Sequence, residues 1–157
     1  LLLLHVAALL HEVGGFVSSL AHHKHSYYLI SNSVIAGLRR DELGIVALVA
    51  RYHRRSGPKS SHPEYMALPR DRRMIVNKLA ALLRVADALD RGHEERVKDF
   101  TAEVAGQELI LTVPAAEMIL EQRALERKAD LFEEAYGLKV RIVETGAPPV
   151  PPPVEPA

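Results

Sequence analysis

The first half of the chain places apolar side chains three and four residues apart, which is the spacing of one face of an α-helix. Four such helices are predicted, the first over residues 1–12, the second opening at residue 22, the third over 41–51 and the fourth over 71–91. A loop with three prolines and two adjacent serines separates the last two, over residues 56–70. We therefore expect a helical domain over residues 1–95.

Beyond His93 the period changes from helical spacing to alternation of apolar and polar residues, which is typical of half-buried strands. Strands are predicted over residues 97–104, 109–113 and 138–144, with a hairpin turn at 105–107 and a helix over 114–136 before the third strand. Gly137 supplies the stop of that helix. Residues 96–145 thus form a small ββαβ unit packed on the helical domain, and the predicted fold is mostly α, or α+β as a whole. The Pro-rich residues 146–157 are expected to be a disordered tail.

Composition narrows the classes of function. The length of 157 residues, of which 48% are hydrophobic, suits one domain with a sizeable core. Twenty basic and twenty acidic residues cancel, so no overall field favours nucleic acid or membrane, and attraction for anions must come from local clusters. The absence of cysteine excludes disulfides and thiolate chemistry and is compatible with a cytoplasmic protein. The chain opens without Met inside a helical pattern, which indicates a fragment, and this apolar run is too short to span a membrane.

Histidine and carboxylate side chains stand at the ends of the predicted helices, where water can reach them. His11 and Glu12 end the first helix, His53 follows the third, and Asp87 lies within the fourth. These residue types are ligands for divalent metals. An inward carboxylate such as Asp87 needs a partner, which can be a metal or histidine, or else an arginine such as Arg84 or Arg91.

Two basic clusters flank these residues. Residues 22–25 open the second helix with His22, His23, Lys24 and His25, and the third helix ends in Arg51, His53, Arg54 and Arg55, followed by Lys59. The first cluster could bind an anion at a helix N-terminus, or could be a solvated helix start in which His25 bonds to backbone. Matching the helix dipole explains one or two cations of the second cluster and not four, which favours anion contact there. We expect both clusters to bind a polyanion, more tightly as pH falls from 8 to 6 and histidines gain charge.

Three segments in a fixed order resemble the C-terminal HD-like region of the Ppx/GppA family, which contains exopolyphosphatases and guanosine pentaphosphate phosphohydrolases. They are Leu10-His11-Glu12-Val13-Gly14, Lys24-His25-Ser26-Tyr27-Tyr28-Leu29-Ile30 and Arg51-Tyr52-His53-Arg54, and the resemblance covers roughly residues 1–145. It implies that phosphoanhydride hydrolysis takes place on two N-terminal actin/Hsp70-like domains with Mg²⁺, outside this chain. No catalytic residue and no firm cofactor is then expected here.

The resemblance implies a C-terminal domain that binds polyphosphate, packs on the catalytic domains of the same protein and forms a homodimer in the cytoplasm, without membrane or nucleic acid as a partner. The fragment alone is then inactive. The alternative is an autonomous metal-dependent HD-type phosphohydrolase, with His11, Glu12, His53 and Asp87 holding the ion. That site departs from the HD pattern, since Glu12 replaces the usual Asp and the first histidine of the pattern is not in this chain. The choice between polyphosphate and guanosine pentaphosphate stays open.

Overall fold

The computed structural model describes residues 1–54, 56–92, 97–114 and 117–145. Arg55 and the predicted tail over 146–157 lie outside the described residues. The elements are α1 (Leu2–Leu10), a 3-10 turn (Val13–Phe16), α2 (His22–Ser31), α3 (Arg40–Tyr52), α4 (Pro63–Met66), α5 (Arg70–Leu89), β1 (Thr101–Ala105), β2 (Glu108–Val113), α6 (Ile119–Lys128), α7 (Asp130–Tyr136) and β3 (Lys139–Glu144).

Helix α3 is the centre of the helical part. Every residue from Ile45 to Ala50 is buried on it, and α1, α2 and α5 all pack against it. At its N-terminus the Arg39 N–H donates to the Glu42 carboxylate at 2.9 Å, which gives an otherwise unpaired amide a partner. Burial on all sides fixes the direction of the helix, so its last residues, Tyr52 and the following His53, are held inside the protein.

A three-stranded sheet follows the helices, in the order β1-β2-β3. Strands β1 and β2 form an antiparallel hairpin whose turn includes Gly106 at a φ of 61°, a conformation that glycine adopts without strain. Strand β3 pairs in parallel with β2, and α6 and α7 make the crossover between them. Both crossover helices also pack on α5, so the sheet unit and the helical part share one core.

The structure confirms a mostly α fold with a small sheet, α+β as a whole. Three local predictions were wrong. The first strand begins at Thr101 and not at residue 97, the loop over 56–70 contains α4, and the single helix over 114–136 is two helices that meet at Ala129. The break has a physical cause, because the Arg84 Nε donates to the Lys128 carbonyl oxygen at 2.9 Å and Asp130 accepts from the Leu131 amide at 2.8 Å.

The buried face of α5 also differs from the prediction. By helical spacing Ile75 and Ala86 belong to the apolar stripe that predicts the buried face, but both are exposed, whereas Arg84 is fully buried. Arg84 is buried because α5 lies between α3 on one side and the crossover helices on the other, so its buried face is wider than a single apolar stripe. None of the described helices combines the length and hydropathy that crossing a bilayer requires.

Candidate functional site

Gly14 sets the position of the first helix against the second. Its N–H donates to the Ser26 hydroxyl at 2.9 Å, and that hydroxyl donates to the His11 carbonyl oxygen at 2.6 Å. A Cβ at Gly14 would lie 2.2 Å from the His22 carbonyl oxygen and 2.3 Å from the Ser26 nitrogen, which are impossible contacts. Only glycine therefore allows this close approach, and the approach brings the end of α1 to the start of α2.

Three imidazoles and one carboxylate meet at this junction, and we name His11, Glu12, His22 and His53 the imidazole cluster. The three Nε2 atoms lie 3.9, 3.3 and 3.5 Å from Glu12 Oε1, in the order His11, His22 and His53. The Nε2 atoms of His22 and His53 are 3.2 Å apart. The donor atoms of His11, Glu12 and His53 all lie within 4.8 Å of one another, a spacing that could hold a metal ion.

Hydrogen bonds fix which ring nitrogens carry protons. His11 Nδ1 lies 2.7 Å from the Ala8 carbonyl oxygen, and His53 Nδ1 lies 2.5 Å from the carbonyl oxygen of Ala50. A carbonyl can only accept, so both Nδ1 atoms are protonated and both Nε2 lone pairs point into the cluster. This is the arrangement in which histidine ligates metals.

His22 is held differently. Arg54 Nη1 lies 3.0 Å from its Nδ1, its Nε2 faces His53 and Glu12, and the ring also has a hydrogen bond with the Ser19 backbone. Burial lowers the pKa of His22, and the positive charge of Arg54 lowers it further against the opposing effect of Glu12. Burial also lowers the pKa of His53 to about 3. His53 is therefore neutral between pH 8 and 6 and does not gain the positive charge that we expected there, and the lowered pKa of His22 opposes such a gain.

The cluster opens onto the main cavity, of about 570 Å³. Four cationic side chains, from Arg54, Arg91, Arg127 and Lys128, line it together with the carboxylates of Glu12 and Asp87 and with Ser19, His22, His53 and Ala124. The Asp87 carboxylate has a close ion pair with the Lys128 ammonium, and its Oδ1 is 3.9 Å from His11 Nε2. Burial, followed by the charges of Arg84 and Arg54, lowers the pKa of Lys128 to about 8.

A buried arginine holds the far wall of this cavity. Arg84 donates to the Lys128 carbonyl oxygen at 2.9 Å and to Asp130 Oδ1 at 2.8 Å, and its Nη1 lies 3.4 Å from the Tyr52 carbonyl oxygen. These bonds tie the end of α6 to the end of α3. They fix the two cations at the C-terminus of α6, Arg127 and Lys128, against the imidazole cluster.

The second cavity, of about 230 Å³, adjoins the first at Arg54, which lines both. Lys24, Arg51 and Arg54 supply its cations, the remaining lining residues are Ala21, His23, Tyr52, Ser56 and His62, and no carboxylate is among the described residues that line it. The Tyr52 hydroxyl donates to His62 Nδ1 at 2.9 Å, and burial raises the pKa of Tyr52 to about 12, which keeps this donor protonated. That bond holds the loop after α3 against the cavity.

The structure brings most of the predicted residues together. Arg54 lines both cavities. Of the other predicted residues, the main cavity is lined by Glu12, His22, His53 and Asp87, and the second cavity by His23, Lys24 and Arg51. His11 lies against Glu12 and Asp87. His25 is half-buried and lines neither cavity, Lys59 is exposed on the loop, and Arg55 lies outside the described residues.

Sequence reasoning missed the cations of the cavity's far wall, Arg127 and Lys128. They occupy the last turn of α6, where a basic residue usually matches the helix dipole, and nothing in the pattern places them near His11. For Asp87 the suggested histidine partner is present, since His11 Nε2 lies 3.9 Å from its Oδ1, but its close ion pair is with Lys128, and Arg84, one of the suggested arginines, binds Asp130. His22 was grouped with the anion-binding residues, although its Nε2 faces the carboxylate of Glu12.

The fold and the cavities define a helical domain with a small crossover sheet, whose polar site combines imidazoles, carboxylates and an excess of cations. Such a site suits phosphate-containing ligands. A family model for Ppx/GppA phosphatase, domain III, matches residues 1–135. The match covers most of the chain, and the protein belongs to the Ppx/GppA phosphatase family.

Proposed function

We propose that this chain is the polyphosphate-binding C-terminal domain of a Ppx/GppA-type phosphatase, with hydrolysis taking place on other domains of the parent protein. One observation carries the proposal. Two adjoining cavities share Arg54, and together they form a path lined by cations from α2, α3 and α6. A linear polyanion can follow such a path, with successive phosphates contacting different side chains.

The charges along the path support a phosphate ligand. Arginine supplies four of its six cations, and its planar guanidinium can give two parallel hydrogen bonds to one phosphate. In the main cavity the Lys128 ammonium is already paired with Asp87, which leaves the arginines as the groups best placed to contact a ligand. The second cavity has no carboxylate among its described lining residues, although one of its cations, Arg51, pairs with Glu64 at 3.2 Å.

The test is a titration of the chain with long polyphosphate, comparing wild type with Arg54→Gln and Arg127→Gln. Losing one charge-assisted contact should weaken binding about tenfold, corresponding to roughly 1.4 kcal/mol. The matched control is Arg123→Gln, because Arg123 is an exposed arginine on α6 that lines neither cavity. Equal affinities for wild type and the two cavity variants, or equal losses for the control, would contradict the proposal.

Salt dependence supplies a second measure of the same contacts. Binding of a polyanion releases counterions, so the logarithm of the affinity should fall linearly with that of the salt concentration, a rule for nucleic acids that we extend to polyphosphate. Removing Arg54 should reduce that slope by about one contact. Guanosine pentaphosphate, titrated in parallel, distinguishes a site for long chains from one for a nucleotide.

We also propose that the chain does not hydrolyse polyphosphate by itself and that the Mg²⁺ of the parent enzyme is held by other domains. The imidazole-rich cluster supports this, since Mg²⁺ prefers oxygen ligands and retains several waters. Phosphate release from polyphosphate by the purified chain with Mg²⁺ should therefore stay at background. Release that depends on His11 and Asp87 would instead establish the alternative, an autonomous HD-type phosphohydrolase.

Homodimer formation is the third part of the proposed function. Leu2, Leu9, Phe16, Val17 and Leu20 are exposed apolar side chains within the first twenty residues, which supports a protein–protein contact by this part of the surface. Sedimentation velocity of the chain should show a dimer at micromolar concentration. Phe16→Glu with Leu20→Glu should convert it to a monomer, whereas Val34→Glu, an exposed residue elsewhere on the surface, should not.

A further inference from the structure

Ser56 borders the second cavity, in the loop that follows α3. The residue is exposed, and it lines the cavity together with Lys24, Arg51 and Arg54. The two residues that precede it in the sequence are arginines, a charge pattern of the kind that kinases recognise in their substrates. A serine hydroxyl that is open to solvent and adjoins several cations suits a phosphoryl group, because the anionic product is surrounded by positive charge.

Contacts on both sides of Ser56 hold its loop against the cavity. The bond from the Tyr52 hydroxyl to His62 Nδ1, at 2.9 Å, fastens the loop to the end of α3. Gly57, next to the serine, lies against Leu131 of α7, since a Cβ added to this glycine would be 3.3 Å from the Cδ1 of that leucine. These contacts fix the position of Ser56, so a phosphate on its hydroxyl would stay beside the cations that line the cavity.

We propose that Ser56 is a phosphorylation site and that its phosphate occupies the second cavity, where it competes with polyphosphate. The phosphoryl donor is a nucleoside triphosphate, bound by a serine kinase. The serine Oγ forms a bond to the γ-phosphorus, and the bond from that phosphorus to the β,γ-bridging oxygen breaks. The nucleoside diphosphate leaves, and the hydroxyl proton passes to a base of the kinase. The competition rests on the proposed function, whereas the placement of the phosphate does not.

The residues around the cavity suit a phosphate on Ser56. Such a phosphate carries a charge of about −1.5 to −2 at pH 7 and accepts several charge-assisted hydrogen bonds. Lys24 of α2 and Arg51 of α3 supply cations from two different helices, and Arg54 follows α3. The ion pair of Arg51 with Glu64, at 3.2 Å, competes for one of these cations. The Glu64 side chain is 41% exposed, so this pair is screened by water and yields to a dianion.

A phosphate attached to Ser56 has an advantage over free polyphosphate. The chain itself holds it beside the cations, which gives it a high effective concentration in the cavity. Its charge also repels a second anion. Because Arg54 lines both cavities, a phosphate that contacts this residue interrupts the path between them. Phosphorylation of Ser56 therefore switches polyphosphate binding off.

The placement is tested on the whole chain, with phosphoserine incorporated at position 56 through a reassigned stop codon. The matched control carries phosphoserine at position 60, since Ser60 is an exposed serine of the same loop that lines neither cavity. A pH titration by phosphorus NMR follows each phosphate, whose second pKa is ordinarily about 6. The cations should lower the second pKa of the phosphate at position 56 by about 0.5 or more, and Lys24→Gln should reverse part of that change. Equal pKa values at the two positions would overturn the placement.

The competition is tested by titrating the same proteins with long polyphosphate. Phosphate at position 56 should weaken binding about tenfold or more, and phosphate at position 60 by less than about threefold. Unmodified chain that binds polyphosphate equally well with and without phosphate at position 56 would refute the competition. If the unmodified chain does not bind polyphosphate at all, the proposed function fails, while the NMR titration still decides where the phosphate lies.

The modification itself is tested by mass spectrometry of the parent protein, isolated from the cells that produce it. We expect phosphate on Ser56. Phosphate confined to the neighbouring Ser60 and Ser61, or present on none of the three serines, would overturn Ser56 as the site of modification.

Discussion

Gly14→Ala is predicted to damage both the fold and the site, while Gly15→Ala is predicted to be harmless. The alanine Cβ at position 14 would lie 2.2 and 2.3 Å from backbone atoms of α2. Ordinary contact begins at 3.4 Å, so α2 would have to move by about 1 Å away from α1. At Gly15 nothing lies within 4 Å of the added carbon, which makes it a matched control in the same turn.

The cost follows from the bonds that the movement breaks. The Gly14 N–H to Ser26 bond and the Ser26 to His11 carbonyl bond are both lost or stretched. A broken hydrogen bond that leaves a buried partner unsatisfied costs about 1–3 kcal/mol, so two bonds suggest a loss of about 3–5 kcal/mol. That is a large share of the stability of a domain of this size.

Urea denaturation, followed by circular dichroism, measures the free energies of unfolding. We expect the loss in Gly14→Ala and a change within about 0.5 kcal/mol in Gly15→Ala. Since α2 also carries His22 and Lys24, Gly14→Ala should weaken polyphosphate binding under conditions in which it stays folded. If the two alanine variants are equally stable, the close approach at Gly14 does not hold α1 against α2 and the reasoning is wrong.

Three further changes test other buried polar groups. Arg84→Leu should lower the free energy of unfolding by about 3–5 kcal/mol in urea denaturation, because it leaves Asp130 and the Lys128 carbonyl oxygen without this donor; a loss below 1 kcal/mol would show that Arg84 does not hold the wall. Asp87→Ala should lower the melting temperature while elemental analysis shows unchanged metal content, since it exposes Lys128 without a partner; the reverse pattern would make Asp87 a ligand. Glu121→Gln should raise the free energy of unfolding by about 1 kcal/mol, because this 1% exposed carboxylate has an oxygen with no hydrogen-bond partner among the described residues; no gain in urea denaturation would contradict this.

Helical periodicity predicted the helices well, because apolar spacing is a local property of the sequence. The prediction was wrong where a distant side chain decides the local structure. The predicted long helix is broken at Ala129 because Arg84, which is far away in the sequence, donates a hydrogen bond to the carbonyl oxygen of Lys128. The same arginine is fully buried on α5, although a charged side chain is ordinarily expected on the solvent-exposed face of a helix. Its hydrogen bonds compensate for burial, and no periodicity can reveal their partners.

The candidate site was predictable to the extent that its residues stand at helix ends. His11 and Glu12 end α1 and His53 ends α3, and the sequence grouped these three correctly as neighbours, although whether they bind metal stays a prediction. The positions of Arg127 and Lys128 could not be inferred, because they depend on how α6, in the crossover from β2 to β3, packs on α5. Such long-range placement is a property of the assembled fold.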